Sequence, residues 1–368
     1  MPPSTLTPRF LRLVLLLVAI VLVPTQARPS DETTTAAVSS SPPSCLGSPL
    51  LCNVPYNLVT LAGTHASHAV RKDEDSLGTQ DKDIKQQLAD GIRALYLEVY
   101  PSPADSSTAE LCFMSCATND GGTLAATLQV ITDFLNAEAT EMLTIVVSNP
   151  GEVATEVITK EFKAQGLDTI AYVGPALGNW PTVSSLLANG KRIVVFGDKS
   201  VASLPSWMAN YETMTQYTQL VVPPDDKWPM GRINYLDGKV PFFINYHLRW
   251  TNATVDGAVR PVPYAAEAAI TNSWDLVSHI VDLRNNNFIW PHLVAVDFYD
   301  VPGCKLFDMV RNFNGVPIPG NQPSNFYPIT NKAHTKVKSV AAPTTAGIGT
   351  LGLTLALLVI VSLFTYRI

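Results

Sequence analysis

The sequence contains little charge. Only 15% of its 368 residues are Asp, Glu, Lys or Arg, and the formal net charge at pH 7 is -6. No cluster of basic residues is interleaved with aromatic ones, and an acidic chain repels the phosphate backbone of a nucleic acid. We therefore expect no nucleic-acid partner.

Glycine-rich phosphate loops are absent as well. No strand-like segment is followed by a Gly-x-Gly-x-x-Gly or Walker motif, so a nucleotide-binding sheet is disfavoured.

Cysteine is scarce, and its five copies suit an oxidising compartment. Cys45 lies seven positions before Cys52, and Cys112 lies four before Cys116. A bridge within each pair is the simplest arrangement and leaves Cys304 over, although spacing does not fix connectivity. A zinc site is the alternative, but no Cys-x-x-Cys pair accompanies nearby histidines.

Long apolar runs occur only near the two ends. Residues 13–23 follow Arg9 and Arg12 and are too short to cross a bilayer, so 1–27 is predicted to be a signal peptide, with a retained anchor as the alternative. Residues 346–368 form a hydrophobic tail, which fits either a glycolipid-anchor signal or a transmembrane helix. Both alternatives predict a protein tethered to the outer face of a membrane.

The segments beside these runs are rich in Ser, Thr, Pro and Ala. We expect a flexible leader at 28–44 and a stalk at 321–345. The sequon at Asn252 predicts glycosylation, in keeping with secretion.

Residues 45–320 alternate strand-like and helix-like patterns. Continuous apolar runs predict strands buried on both faces at 58–62, 94–99, 143–148, 192–197, 242–246 and 293–298. Helical spacing recurs at 84–90 and 124–137, and Gly190 stands where a helix should stop. The pattern indicates a single α/β domain, either a (β/α) barrel or an open doubly wound sheet, and we favour the barrel. Functional groups of such barrels lie at the carboxyl ends of strands, where His65, Glu98 and Asp297 occur.

Several blocks in this order resemble the phosphatidylinositol-specific phospholipase C X-domain superfamily, especially its secreted and surface-anchored fungal members. They span roughly residues 45–316 and include "VTLAGTHASHAV", "QQLADGIRALYLEV", "LCFMSC" and "HLVAVDFYDV". The resemblance implies a distorted TIM barrel that cleaves phosphodiesters of inositol lipids. One histidine would act as general base and a second as general acid, while an arginine or a calcium ion would stabilise the charged transition state.

Two positions of this chain match the family's catalytic residues. His65 matches the first histidine, and Asp297 matches the aspartate that orients it and raises its basicity. Arg93 is shared by many members, and its role is either substrate binding or a structural ion pair.

Other positions depart from the family. Ala66 replaces the usual Asp or Asn, and Tyr96 and Glu98 occupy the positions held by Asp and Arg in bacterial-type enzymes. Phe113 stands in place of the second catalytic histidine, and phenylalanine cannot donate a proton. The resemblance therefore predicts a phosphoric diester hydrolase with doubtful catalysis. The alternative is an inactive barrel that binds an inositol-lipid or glycan headgroup or serves the cell surface.

Three side chains could compensate for the missing groups. His68 could act as the acid, although we expect it to face solvent. Glu98 could recruit Ca²⁺, but Ala66 and Tyr96 add no charged ligand, so we expect no cofactor. Tyr96 could act as an acid or contact substrate, although its unperturbed pKa of about 10 suits it poorly to proton donation. We also expect Asp198 to line the pocket, because it follows a strand.

Overall fold

The structure is a computed structural model. It describes residues 44–73, 77–174, 179–198, 200–210, 215–220, 242–247, 251–255, 257–263, 265–278, 280–281 and 291–318. The expected signal peptide, stalk and hydrophobic tail lie outside these ranges, as does nearly all of the expected leader. Within them, no helix is both long and apolar enough to cross a membrane.

Twelve strands are described. They are β1 Leu61–Thr64, β2 Ala94–Pro101, β3 Ala109–Phe113, β4 Ser115–Thr123, β5 Leu143–Ser148, β6 Ile193–Gly197, β7 Ala209–Asn210, β8 Thr215–Leu220, β9 Phe242–His247, β10 Thr251–Val255, β11 Ala258–Val262 and β12 Pro291–Val296. Eight of them pair in parallel in the order β7-β6-β5-β2-β1-β12-β9-β8. Two antiparallel hairpins, β3–β4 and β10–β11, complete the set.

This parallel sheet confirms the α/β class, but the distorted (β/α) barrel that we expected does not close among the described strands. No pairing joins β7 to β8 within the described residues, so the sheet is not closed there. The strand β7 has only two residues, Ala209–Asn210, and both pair with β6. So short a strand offers few backbone groups for a second neighbour.

All six strands expected from the sequence are present. The β5 run matches its expected bounds, because its buried apolar residues are covered on both faces. The β1 strand begins later than expected. Its predicted first residue, Leu58, instead ends a 3₁₀ turn, Tyr56–Leu58, that follows Pro55.

The described helices are α1 Ile84–Asp90, α2 Leu124–Ala137, α3 Thr155–Ala164, α4 Leu167–Ile170, α5 Val183–Ala188, α6 Ala265–Ile270 and α7 Leu306–Phe313. Three begin at residues whose side chains cap the backbone, namely Asp83, Thr123 and Thr182. Gly91 ends α1 at φ 109°, a conformation that suits a residue without Cβ. Gly190 adopts φ 67° just after α5, as its position in the sequence predicted.

The sheet separates two apolar layers. One lies between the strands and the helices and contains Leu95, Leu128, Val195 and Phe162. The other lies on the opposite face and contains Tyr56, Tyr96, Trp180 and Phe196. Tyr56 and Trp180 belong to segments before the strands, so they close the amino-terminal end, which we call the floor. The carboxyl ends of the parallel strands form the opposite end, which we call the mouth.

Both predicted disulfides are present. Cys45–Cys52 lies at the floor, and Cys112–Cys116 links the two strands of the β3–β4 hairpin. Cys304 is a partly buried free thiol. The ligand atoms of Glu110, Cys112 and Cys116 lie close together, but both sulfurs are used by the disulfide, so this cluster is not a zinc site.

Candidate active site

Polar side chains from four strand ends converge at the mouth. His65 directly follows β1, Glu98 lies on β2, Asp198 follows β6, and Asp297 follows β12. These strands are neighbours in the sheet or one strand apart, and parallel strands end at the same edge. The sequence expectation that His65, Glu98 and Asp297 share one edge therefore agrees with the observed topology.

His65 forms the centre of the site through its contact with Asp297. The distance from His65 Nδ1 to Asp297 Oδ1 is 2.9 Å, and Asp297 is 0% exposed. An ionised carboxylate only accepts hydrogen bonds, so Nδ1 donates and Nε2 remains the proton acceptor. Burial lowers the pKa of His65 to about 3. The imidazole of His65 is therefore neutral at pH 7.

The backbone around this pair is fixed by side chains from neighbouring segments. The Thr79 hydroxyl and the Gln80 amide both donate to the carbonyl of His65. Asn272 is fully buried and donates to the carbonyl of Asp297 at 2.7 Å. Sequence reasoning missed all three, because none stands at the end of a predicted strand.

Glu98 faces the other nitrogen of the same imidazole. Its Oε1 lies 3.9 Å from His65 Nε2, beyond hydrogen-bond distance, and its side chain is 23% exposed. Burial first, and then the nearby Asp198 and Asp297, together raise the pKa of Glu98 to about 7. Glu98 is therefore a mixture of acid and carboxylate near pH 7.

An apolar wall lies beside His65. Phe113 is 4% exposed and meets the imidazole edge-on, with ring centroids 6.1 Å apart. It packs with Ala66, Ala69 and Met114. The side chains of Phe113 and Ala66 can neither donate a proton nor bind a metal.

His68 does not face solvent, and that expectation was wrong. It is 3% exposed, and its Nε2 contacts the carbonyl of Cys112 at 3.0 Å. Burial lowers its pKa to about 4. Because this contact holds Nε2 on the β3–β4 hairpin, His68 is a poor replacement for the missing acid.

The structure places Arg93 at the floor, and not at the mouth, where the expected substrate-binding role would require it. It precedes β2, and its Nε donates to Glu141 Oε2 at 2.7 Å. Its guanidinium also donates to the carbonyls of Leu88 and Ile92. The alternative interpretation, a structural ion pair, agrees with this geometry.

The remaining candidates are placed as follows. Tyr96 is buried in the apolar layer that contains Tyr56 and Trp180. Asp198 accepts a hydrogen bond from the amide of Ser200 at 2.9 Å and acts on the site through its charge. Asn252 lies on β10, and its glycosylation stays a prediction.

The described residues do not fit a calcium ion. Ca²⁺ takes six to eight oxygen ligands. Asp297 is committed to His65, Ala66 has no ligand atom, and Glu98 is the remaining carboxylate beside the imidazole. We therefore derive no step through a metal.

Several known proteins are similar to this chain. The family model described as PI-PLC X 1 matches residues 51–306, more than half of the chain. Two proteins of Arthroderma benhamiae are similar in sequence. One, named an uncharacterized secreted protein, is 25% identical over 75% of this chain and 65% of its own length. The other, named PI-PLC X domain-containing protein 1, is 26% identical over 74% of this chain and 90% of its own length. This chain thus matches slightly less than two thirds of the first relative's length.

Solved structures give a weaker likeness. The phosphatidylinositol-specific phospholipase C of Listeria monocytogenes is 14% identical, with a TM-score of 0.46 over 71% of this chain and 95% of its own. A variant of the Staphylococcus aureus enzyme is 14% identical, with a TM-score of 0.48 over 73% of this chain and 94% of its own. The match to the family model over residues 51–306 establishes that the chain belongs to the PI-PLC X family.

Proposed function

We propose that the chain is a membrane-tethered extracellular phosphodiesterase that acts slowly on inositol lipids. The observation that carries this proposal is the His65–Asp297 pair, a largely buried imidazole oriented by a fully buried carboxylate, with its Nε2 on the side of Glu98. Such a pair removes the proton from a hydroxyl that attacks phosphorus. The name of the secreted relative and the apolar runs at both ends of the sequence support the secretory pathway and the membrane tether.

The same site explains why the reaction should be slow. Phe113 supplies no proton to a leaving oxygen, and Glu98 places a carboxyl group where bacterial-type enzymes have a cation. General acid catalysis and preorganised charge each contribute about 10²–10⁴-fold to a rate. Losing both without compensation would raise the barrier by about 5–11 kcal/mol.

A second candidate function is ligand binding without turnover. The carboxyl groups of Glu98, Asp198 and Asp297 disfavour an anionic phosphate but accept hydrogen bonds from hydroxyl groups. A neutral sugar or the polyol part of an inositol headgroup would suit this arrangement.

Cleavage of phosphatidylinositol distinguishes the two functions. The full chain in detergent micelles would be incubated with phosphatidylinositol, with and without Ca²⁺, and release of cyclic inositol phosphate measured. We expect slow release that needs no Ca²⁺ and is lost in His65→Ala. Absence of release, combined with saturable binding of inositol, would support the second function. Extraction of cell membranes at alkaline pH tests the tether, because a peripheral protein would be released.

A further inference from the structure

The site has a proton acceptor but lacks the histidine that would donate a proton. In phosphodiester cleavage, the attacking hydroxyl loses a proton and the leaving oxygen gains one. His65 can do the first, while Phe113 occupies the place of the donor. Any cleavage of an alkyl ester at this site therefore needs another acid.

We propose that Glu98 is the proton donor of this site and protonates the leaving oxygen while His65 deprotonates the nucleophile. This inference rests on the proposed phosphodiesterase function and names a catalytic role that Glu98 takes over in this chain. Glu98 Oε1 faces His65 Nε2 across 3.9 Å at the mouth. That separation lets each group contact a different oxygen of one phosphorus atom.

Among the side chains that the structure describes, the other potential donors near His65 are occupied elsewhere. The Nε2 of His68 contacts the carbonyl of Cys112, and Tyr96 lies within the apolar layer on the inner face of the sheet. Asp297 is bonded to His65 Nδ1. Glu98, in contrast, makes no hydrogen bond to any described residue and stays partly exposed, so it can reach a substrate.

The surroundings of Glu98 favour its protonated form. Among the described residues, the titratable groups that face it are His65 after β1, Asp198 after β6 and Asp297 after β12. Its partner on β5 is Ser148, which carries no charge. Two neighbouring carboxylates and partial burial disfavour a third negative charge, in agreement with the pKa of about 7 for Glu98.

The proposed step balances atoms and charge. The hydroxyl oxygen bonds to phosphorus as His65 Nε2 takes its proton. The bond from phosphorus to the leaving oxygen breaks as that oxygen takes the proton of Glu98. A cyclic phosphodiester and a neutral alcohol result, leaving an imidazolium beside a carboxylate. Proton transfer across the short gap then restores both groups without an external reagent.

The test compares two substrates that differ only in the leaving group. An alkoxide needs a general acid, whereas p-nitrophenolate leaves without one. The full chain in detergent micelles would be assayed on phosphatidylinositol and on p-nitrophenyl inositol phosphate. We expect Glu98→Gln to lose about 10²-fold or more on the lipid and only a few-fold on the aryl ester. Glu98→Asp should restore part of the loss, and Glu156→Gln on the exposed surface of α3 is the matched control.

The pH profile gives a second readout. Cleavage of the lipid should fall as pH rises through about 7, because Glu98 loses its proton there, and the aryl ester should lack this decline. Equal loss of both activities in Glu98→Gln would overturn the donor role in favour of a structural one. Faster cleavage of the lipid would also overturn it, because Glu98 would then act only by repulsion. If the native chain cleaves neither substrate, the proposed function itself fails, and the inference fails with it.

Discussion

The mouth and the floor of the sheet each hold a buried histidine, and the two differ in their partners. His65 at the mouth pairs with the carboxylate of Asp297 at 2.9 Å. His292 at the floor contacts the carbonyl of Val59 at 2.7 Å and meets the ring of Tyr56 edge-on. Burial lowers the pKa of both. Burial alone therefore does not distinguish the two histidines, whereas the carboxylate partner and the partial exposure of the His65 side chain do.

The charged side chains at the floor and at the mouth also differ in their partners. At the floor, Arg93 and Glu141 neutralise each other at 2.7 Å. At the mouth, Glu98 is surrounded by other carboxyl groups, and its pKa rises. The floor is built for stability and the mouth accepts an unfavourable charge, which is typical of functional sites.

The largest expected effect concerns the two histidines. We expect His65→Gln to reduce phosphatidylinositol cleavage by about 10²–10⁴-fold, because glutamine cannot act as the base. The identical change His292→Gln should keep the rate within a few-fold. A sensitive assay of cyclic inositol phosphate measures both rates. Equal losses would contradict the role of His65 as the base of the site.

The next effect concerns the ion pair at the floor. Arg93→Met leaves the carboxylate of Glu141, which is 9% exposed, without its partner. We expect a loss of about 3 kcal/mol in the free energy of unfolding, measured by urea denaturation. A change below measurement error would contradict the structural role given to Arg93.

A smaller effect of opposite sign is expected at the mouth. The folded-state pKa of Glu98, about 7, lies above its ordinary value of 4.5, so the folded chain binds the proton more tightly than the unfolded chain. Its contribution to stability therefore falls as pH rises from about 4.5 to 7 and stays low above that. After allowance for partial exposure, we expect Glu98→Gln to stabilise the chain by roughly 2 kcal/mol at pH 8 and to have little effect at pH 4. Urea denaturation at both pH values tests this. Equal changes in the free energy of unfolding at pH 4 and pH 8 would contradict a raised pKa of Glu98 in the folded chain.

The smallest effect separates the two disulfides. Each closes a short loop, so replacing either pair by alanine should cost about 2 kcal/mol in stability. Only the loss of Cys112–Cys116 should also alter activity, since that bridge flanks Phe113 beside His65. Unfolding and cleavage would be measured for the two double variants. Altered cleavage after loss of Cys45–Cys52 would contradict the prediction.

The sequence predicts the parallel strands well, because a strand covered on both faces appears as a continuous apolar run. The bounds of β5 agree with the expected ones for this reason. The bounds of α1 and α2 also agree, because their apolar residues recur at helical spacing. The β3–β4 hairpin gives no such signal, since β4 is mostly polar and partly exposed.

Within the site, strand-end positions indicated His65, Glu98 and Asp297, but not their environment. The sequence places His68 in the loop after a strand, three residues beyond His65, and such a position predicts exposure to solvent. Its burial depends on the hairpin that returns from Cys112. Long-range contacts of this kind leave no local pattern in the chain. The aspartates that raise the pKa of Glu98, Asp198 and Asp297, also lie far from it in sequence.

The central claim is that the site keeps its proton acceptor but lacks the family's histidine donor and its cation. The most direct test is the rate of phosphatidylinositol cleavage by Phe113→His combined with Glu98→Arg, measured beside the native chain. The claim predicts a rate at least about 10²-fold above the native one, because both missing groups are supplied. An unchanged or lower rate in a folded double variant would contradict it.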